Sequence, residues 1–177
     1  MPQYSKMDLK TYLEQNSEAI VKKWRDAVVD SYPGDSRRFL RKEKDQFANP
    51  VGHIITKDLE SLVKSLSGDE TIENASLCLE NIIRVRAVQD FKPSDAVGFV
   101  MALKRILRES LREKGMGQGD DSEIRKVEES IDRMALLAFD IYSQCRQKIF
   151  DIRVKEVKNQ LGKLLERSNL TFEIPED

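Results

Sequence analysis

The last third of the chain constrains its fold most. From about Asp121 to Ser168 there is no proline and a single glycine, Gly162. Val127, Ile131, Met134, Ala138, Ile141 and Cys145 recur at alternating steps of three and four residues, and the stripe continues through Ile149 and Ile152. It then restarts on a rotated face with Val154, Val157, Leu161 and Leu164, with Leu165 beside it. An average globular helix runs about 11–12 residues, so this run is several helices long. Three-four alternation is the seam of helices packed on helices. The slip after Ile152 matters, because one straight helix cannot bury both stripes against a single wall. The part before Ile152 is expected to pack on its own domain. The part from Val154 to Leu165 needs another surface, most simply the same helix of a second copy.

Upstream, spacing and caps mark further helices. Met7 to Gln15 reads as a short helix, and Asn16 or Ser17 as the cap of a second one carrying Ile20, Val21, Trp24, Ala27, Val28 and Ser31. Tyr32-Pro33-Gly34-Asp35 ends it, since proline cannot continue the hydrogen-bond ladder. Ser36 to Lys44 adds one or two turns with Phe39 and Leu40. Asn49-Pro50 is a strong start signal: asparagine caps the open N–H groups, and proline has none to leave unpaired. That helix runs to Leu66, with Val51, Ile54, Ile55, Leu59, Leu62 and Val63 on one face, and Ser67-Gly68-Asp69 stops it. The next spans about 70–88, using Ile72, Ala75, Leu79, Ile82, Ile83 and Ala87. After a break at Asp90–Ser94, a helix over 94–114 buries Ala96, Val97, Val100, Leu103, Leu107 and Leu111. Phe99, Ala102 and Ile106 widen its stripe, as for a central helix contacted from two sides. Gly115 to Asp121 is a flexible loop, and Thr171 to Asp177 an acidic tail. No segment shows strand periodicity. The expected class is all-α: a single helical domain with globin-like or bundle packing and a long C-terminal helix. The domain is expected over 1–152, with a helix extension and tail over 153–177.

Composition narrows the function. Thirty Lys and Arg balance 31 Asp and Glu, which argues against a general nucleic-acid binder. No run approaches the roughly 20 apolar residues of a membrane span, and the N-terminus lacks the apolar core of a signal peptide. A cytoplasmic location follows as the expectation. The Asn74 and Asn169 glycosylation triplets are set aside on the same ground. Cys78 and Cys145 lie far apart, without metal spacing, and read as apolar thiols.

The candidates for chemistry are few. His53, the single histidine, reads as a structural or surface residue rather than a haem or phosphoryl site, and it excludes a multi-histidine metal centre. The Gly115–Gly119 loop follows a helix and carries Asp120 and Asp121, so it reads as a hinge, not a phosphate cradle. Trp24 and Phe47 read as core anchors. The basic cluster Arg37, Arg38, Arg41 and Lys42, with Lys44, reads as a solvated face or as a docking patch for an acidic partner. No nucleophile–base pair, acid–base carboxylate pair or metal cluster can be argued, so no catalytic, cofactor or metal residues are expected.

Several runs carry a resemblance. Trp24-Arg25, Tyr32-Pro33, Phe39-Leu40 and Asp45-Gln46-Phe47-Ala48-Asn49-Pro50-Val51-Gly52 resemble the N-terminal domain of RsbRD-type co-antagonists of the stress kinase RsbT. Arg84-Val85-Arg86-Ala87-Val88-Gln89-Asp90-Phe91-Lys92-Pro93-Ser94-Asp95-Ala96-Val97 and Phe99-Val100 extend the likeness over roughly residues 10–150. The resemblance implies an all-helical sensory module without an evident cofactor, placed ahead of an output such as a STAS domain or a kinase. With 177 residues the chain leaves no room for that output, so a separate output protein or a stand-alone binding subunit is implied. Short members also resemble proteins found beside sulfur-reducing redox complexes, which implies an adaptor role as an alternative. A small-ligand or haem sensor is the third expectation. The leading one is a non-catalytic signalling domain, homodimeric through Val154, Val157, Leu161, Leu164 and Leu165, that binds a kinase, STAS-type or redox-complex protein.

Overall fold

A computed structural model describes residues 8–42, 47–68, 72–115 and 122–167. Among these residues the chain is all-α, with six helices and no strand: α1 Leu9–Asp30, α2 Gly34–Lys42, α3 Pro50–Ser67, α4 Ile72–Val88, α5 Pro93–Glu113 and α6 Ser122–Arg167. The expected loop from Met116, the tail from Thr171, Lys44 of the basic cluster and the side chain of Ile72 lie outside the described residues.

Five helices close a ring. α1 packs on α3 and α5, α3 on α4, α4 on α6, and α6 on α5, while α2 lies as a short flap on α1. α5 is contacted from two sides, as its wide stripe requires, but the others do not wrap around it. The core inside the ring is built from Leu13, Ile20, Trp24 and Val28 of α1, Leu59 and Leu62 of α3, Ile82 and Ile83 of α4, Val100, Leu103 and Leu107 of α5, and Ile131 and Ala138 of α6.

Local chemistry sets most boundaries. Asn49 Oδ1 accepts the Gly52 amide at 2.8 Å, and Pro50 fills the first helical position of α3. Gly68 closes α3 in the left-handed region, at φ 83°, where a side chain would be strained. Pro93 opens α5 after Lys92, whose carbonyl accepts the Ala96 amide at 2.8 Å.

Several expectations need correction. The break at Asn16–Ser17 does not exist: α1 is one helix of 22 residues, capped by Asp8, which accepts from the Thr11 amide. Asn16 turns its amide back to the Tyr12 carbonyl at 2.9 Å instead of capping a new helix. The core stripe simply continues across it from Tyr12 and Leu13 to Ile20 and Val21. Ile54 is 44% exposed and Phe47 is 94% exposed, so neither is a core residue. Ile54 falls off the edge of its stripe next to the buried Ile55, and Phe47 sits in the turn before α3. Trp24 is fully buried, as expected of a core anchor, and Phe39 lies half in solvent.

Candidate functional site

α6 has 46 residues and is about 69 Å long at 1.5 Å per residue. Its inner face follows the expected stripe. Ile131 and Ala138 are buried, and Val127, Met134, Ile141, Cys145 and Ile149 pack against the core. Hydrogen bonds and ion pairs fasten this part along its length. The Leu9 amide of α1 donates to Glu123 at 3.2 Å, Arg108 pairs with Glu128, and Lys104 with Asp132 at 2.6 Å. The body ends near Ile149. Ile152 continues the same angular line but is 63% exposed, outside the packed core. The last 18 residues therefore extend about 27 Å past the body.

The second stripe runs differently from the sequence expectation. At 100° per residue, Phe150, Val154, Val157, Leu161 and Leu164 fall on one line with Leu136 and Phe139. The outer apolar face does not begin at Val154. It runs along the solvent side of α6 from Leu136, interrupted by Ser143 and Gln147. Leu136, Phe139, Phe150, Val157, Leu161 and Leu164 are each more than half exposed, while Val154 and Leu165 are half-buried. From Phe150 the spacing is four, three, four, three, which is a heptad seam.

The turn between α4 and α5 grips α6 at the point where the body ends. Tyr142 donates its hydroxyl to the Phe91 carbonyl. Arg146 pairs with Asp90 and also donates to the Ala87 carbonyl at 3.2 Å. Asp90 holds φ 61°, and the Phe91 amide reaches back to the Arg86 carbonyl at 3.2 Å. This is the wrapped helix end that glycine usually serves. A non-glycine residue in this region costs about 1 kcal/mol, and the grip of Arg146 holds it there.

Behind the turn lies Arg86, fully buried on α4. Its guanidinium donates to the Asp95 carbonyl at 2.8 Å, the Ser31 hydroxyl at 2.8 Å and the Val28 carbonyl at 3.2 Å. Three rings surround it: Phe99 at 4.8 Å, Phe91 at 4.9 Å and Tyr32 at 5.3 Å from ring centroid to the guanidinium carbon. Burial lowers the Arg86 pKa, and the nearby Tyr32 and Asp95 oppose that shift. Burial likewise raises the Tyr32 pKa, against the pull of Arg86. Among the described residues, Arg86 Nε and Tyr32 Oη have no hydrogen-bond partner. Ring faces and carbonyl oxygens thus solvate the charge, and the Asp95 carboxylate helps to hold it. One cation ties α1, the α4–α5 turn and α5 together, and the same turn holds α6.

Residues 18–157 match the family of the RsbT co-antagonist protein rsbRD N-terminal domain. The chain belongs to this family. No curated protein and no solved structure matches it.

The match spans both motifs, and the structure explains each. In the Asn49–Gly52 run, a Cβ on Gly52 would sit 2.4 Å from Asn49 Nδ2, so the cap requires glycine there. The Arg86–Phe91 run builds the buried cation and the turn that grips α6. Sequence reasoning read that run as a helix end and missed the cation, because an arginine on a helix ordinarily lies in solvent. The remaining candidates stay separate. Arg37 donates to the Tyr32 carbonyl and Arg41 pairs with Asp30, so half of the basic cluster is used within the fold. Arg38 and Lys42 are exposed. His53 is exposed on the first turn of α3. Cys78 and Cys145 are half-buried and not joined in a disulfide. Among the described residues no group of His, Cys, Asp and Glu is placed to hold a metal, and no helix is long and apolar enough to cross a membrane.

Proposed function

We propose that the chain is a non-catalytic, cytoplasmic regulatory domain that self-associates along the outer face of α6 and works through that helix on a protein partner. The carrying observation is the apolar line from Leu136 to Leu164. An exposed line of large apolar side chains at heptad spacing is costly in water and marks an interaction surface. In this reading the part up to Ile149, a little short of the expected boundary at residue 152, forms the receiving body, and the rest of α6 the outgoing extension. The family supports a regulatory role, and its description names a co-antagonist of a second protein.

Transmission would run through the α4–α5 turn. A shift in the packing of Arg86 displaces Phe91 and Asp90, and with them the hold on Tyr142 and Arg146. Such coupling needs a two-state element, and in this reading the turn would supply it. Native mass spectrometry tests the surface. The wild-type chain is expected as a dimer, and the Val157→Glu/Leu161→Glu variant as a monomer of unchanged helicity. A variant that dimerises like wild type removes the proposed interface.

A further inference from the structure

Asp58 of α3 is a buried carboxyl that neither the α6 interface nor the Arg86 cluster uses. It is 6% exposed, at the seam where α3 packs on α4. Leu59 and Leu62 beside it on α3 are buried, as are Leu79 and Ile82 on α4. α4 supplies its polar contacts, hydrogen bonds from the Asn81 amide and the Cys78 thiol. Oδ2 has no partner among the described residues. Asn81 is exposed and Cys78 half-buried, so one layer of side chains separates the carboxyl from water.

The charges around the seam do little to hold an anion there. Burial raises the Asp58 pKa, against the hydrogen bonds of Asn81 and Cys78 and the charge of Lys57, its neighbour on α3. On α4, Glu80 and Arg84 pair with each other at 2.7 Å. On α1, Arg25 is engaged by the Thr56 hydroxyl at 2.9 Å and the Leu40 carbonyl at 3.2 Å. A neutral carboxyl suits this place. Its carbonyl oxygen still accepts from Asn81 and Cys78, and its burial costs far less than that of an anion with an unpartnered oxygen. An ionised carboxyl calls for water at Oδ2, and water enters only if Asn81 and Cys78 move aside.

We propose that the α3–α4 seam is a proton-operated latch: with a proton on Asp58 it is closed, and without one Asn81 and Cys78 part to admit water. The latch sits on the helix that ends in Arg86 and the turn holding α6, and it requires no second copy. The test uses the full chain, both wild type and the Val157→Glu/Leu161→Glu variant, so that dimerisation is scored apart. Carbon-13 NMR of the aspartate carboxyls follows the proton, with the Asp58 signal assigned by its loss in Asp58→Asn. Its midpoint is expected above the ordinary aspartate value of about 4, and equal in the two proteins. Hydrogen exchange follows the seam, since local opening exposes its amides. Measured against residues 100–107 of α5, which cancels the intrinsic effect of pH, residues 76–83 of wild type should exchange at least fivefold faster above the midpoint than below it. In Asp58→Asn, whose fold circular dichroism checks, the same ratio should stay flat. The wild-type measurements stand even where that variant does not fold. An Asp58 midpoint at or below about 4, or a wild-type ratio that does not change across the midpoint, would overturn the proposal.

Discussion

Replacing Gly52 with alanine should destabilise the chain, although alanine is the better helix former. Inside an ordinary helix the change gains about 1 kcal/mol. Here the added Cβ would stand 2.4 Å from Asn49 Nδ2 and 2.8 Å from its Cγ and Oδ1. Asn49 is only 3% exposed, so its side chain has nowhere to swing. The cap to the Gly52 amide breaks at a cost of about 1 kcal/mol, and a displaced buried amide costs about 2 kcal/mol more. The net loss is about 2 kcal/mol, or a fall in Tm of about 4–8 °C for a chain of this size. The sign should reverse once Asn49 is gone. In an Asn49→Ala background the clash partner is absent, and Gly52→Ala should stabilise by about 1 kcal/mol. Urea unfolding of the four proteins in the cycle measures both values. A Gly52→Ala variant that is stabilised in the wild-type background would show that the Asn49 cap does not depend on glycine at position 52.

Further outcomes follow from the same structure. Tyr142→Phe removes the hydroxyl that binds the Phe91 carbonyl and should cost about 1 kcal/mol in urea unfolding; an unchanged midpoint would show that the grip on α6 lies elsewhere. Asp58 is 6% exposed with Oδ2 unpartnered, and burial raises its pKa despite hydrogen bonds from Asn81 and Cys78. A carboxyl whose pKa is raised by folding stabilises below its unfolded value near 4, and that contribution is lost as pH rises through the folded value. The stability of wild type relative to Asp58→Asn should therefore fall from pH 3.5 to pH 7 in paired thermal melts; a flat difference would contradict the assignment. Arg38→Glu with Lys42→Glu should leave stability within about 0.5 kcal/mol, because both residues are exposed.

Capping chemistry was the most legible part of the sequence. Asn49-Pro50, Gly68 and Pro93 mark their boundaries because each imposes a backbone requirement that does not depend on the rest of the fold. The inner stripe of α6 was equally plain from Val127 to Ile149. Periodicity gives the angle of a stripe but not where its wall ends, so Ile152 joined the inner stripe although the body stops before it. For the same reason the outer face, already begun at Leu136 and Phe139, read as a new stripe at Val154. Two overlapping stripes on one helix blur each other when read as a single series. Arg86 was hidden differently. Its burial depends on Tyr32, Phe91 and Phe99 arriving from three separate places in the chain. Asn16 and Ser17 resemble a cap, yet the buried face continues on both sides of them, and packing outweighs that local preference.

In the proposed dimer the end of α6 is covered by a second copy. Residues 150–167 continue a helix that the body already nucleates, but helical stability comes mostly from packing of an apolar face, and exposed backbone hydrogen bonds open locally, so their protection should depend on that partner. Hydrogen–deuterium exchange across a dilution series reads this directly. Residues 150–167 are expected to be protected at high protein concentration and to exchange rapidly on dilution, while residues 127–145 stay protected throughout. Protection of residues 150–167 that is independent of concentration, or absent at every concentration, would contradict the account.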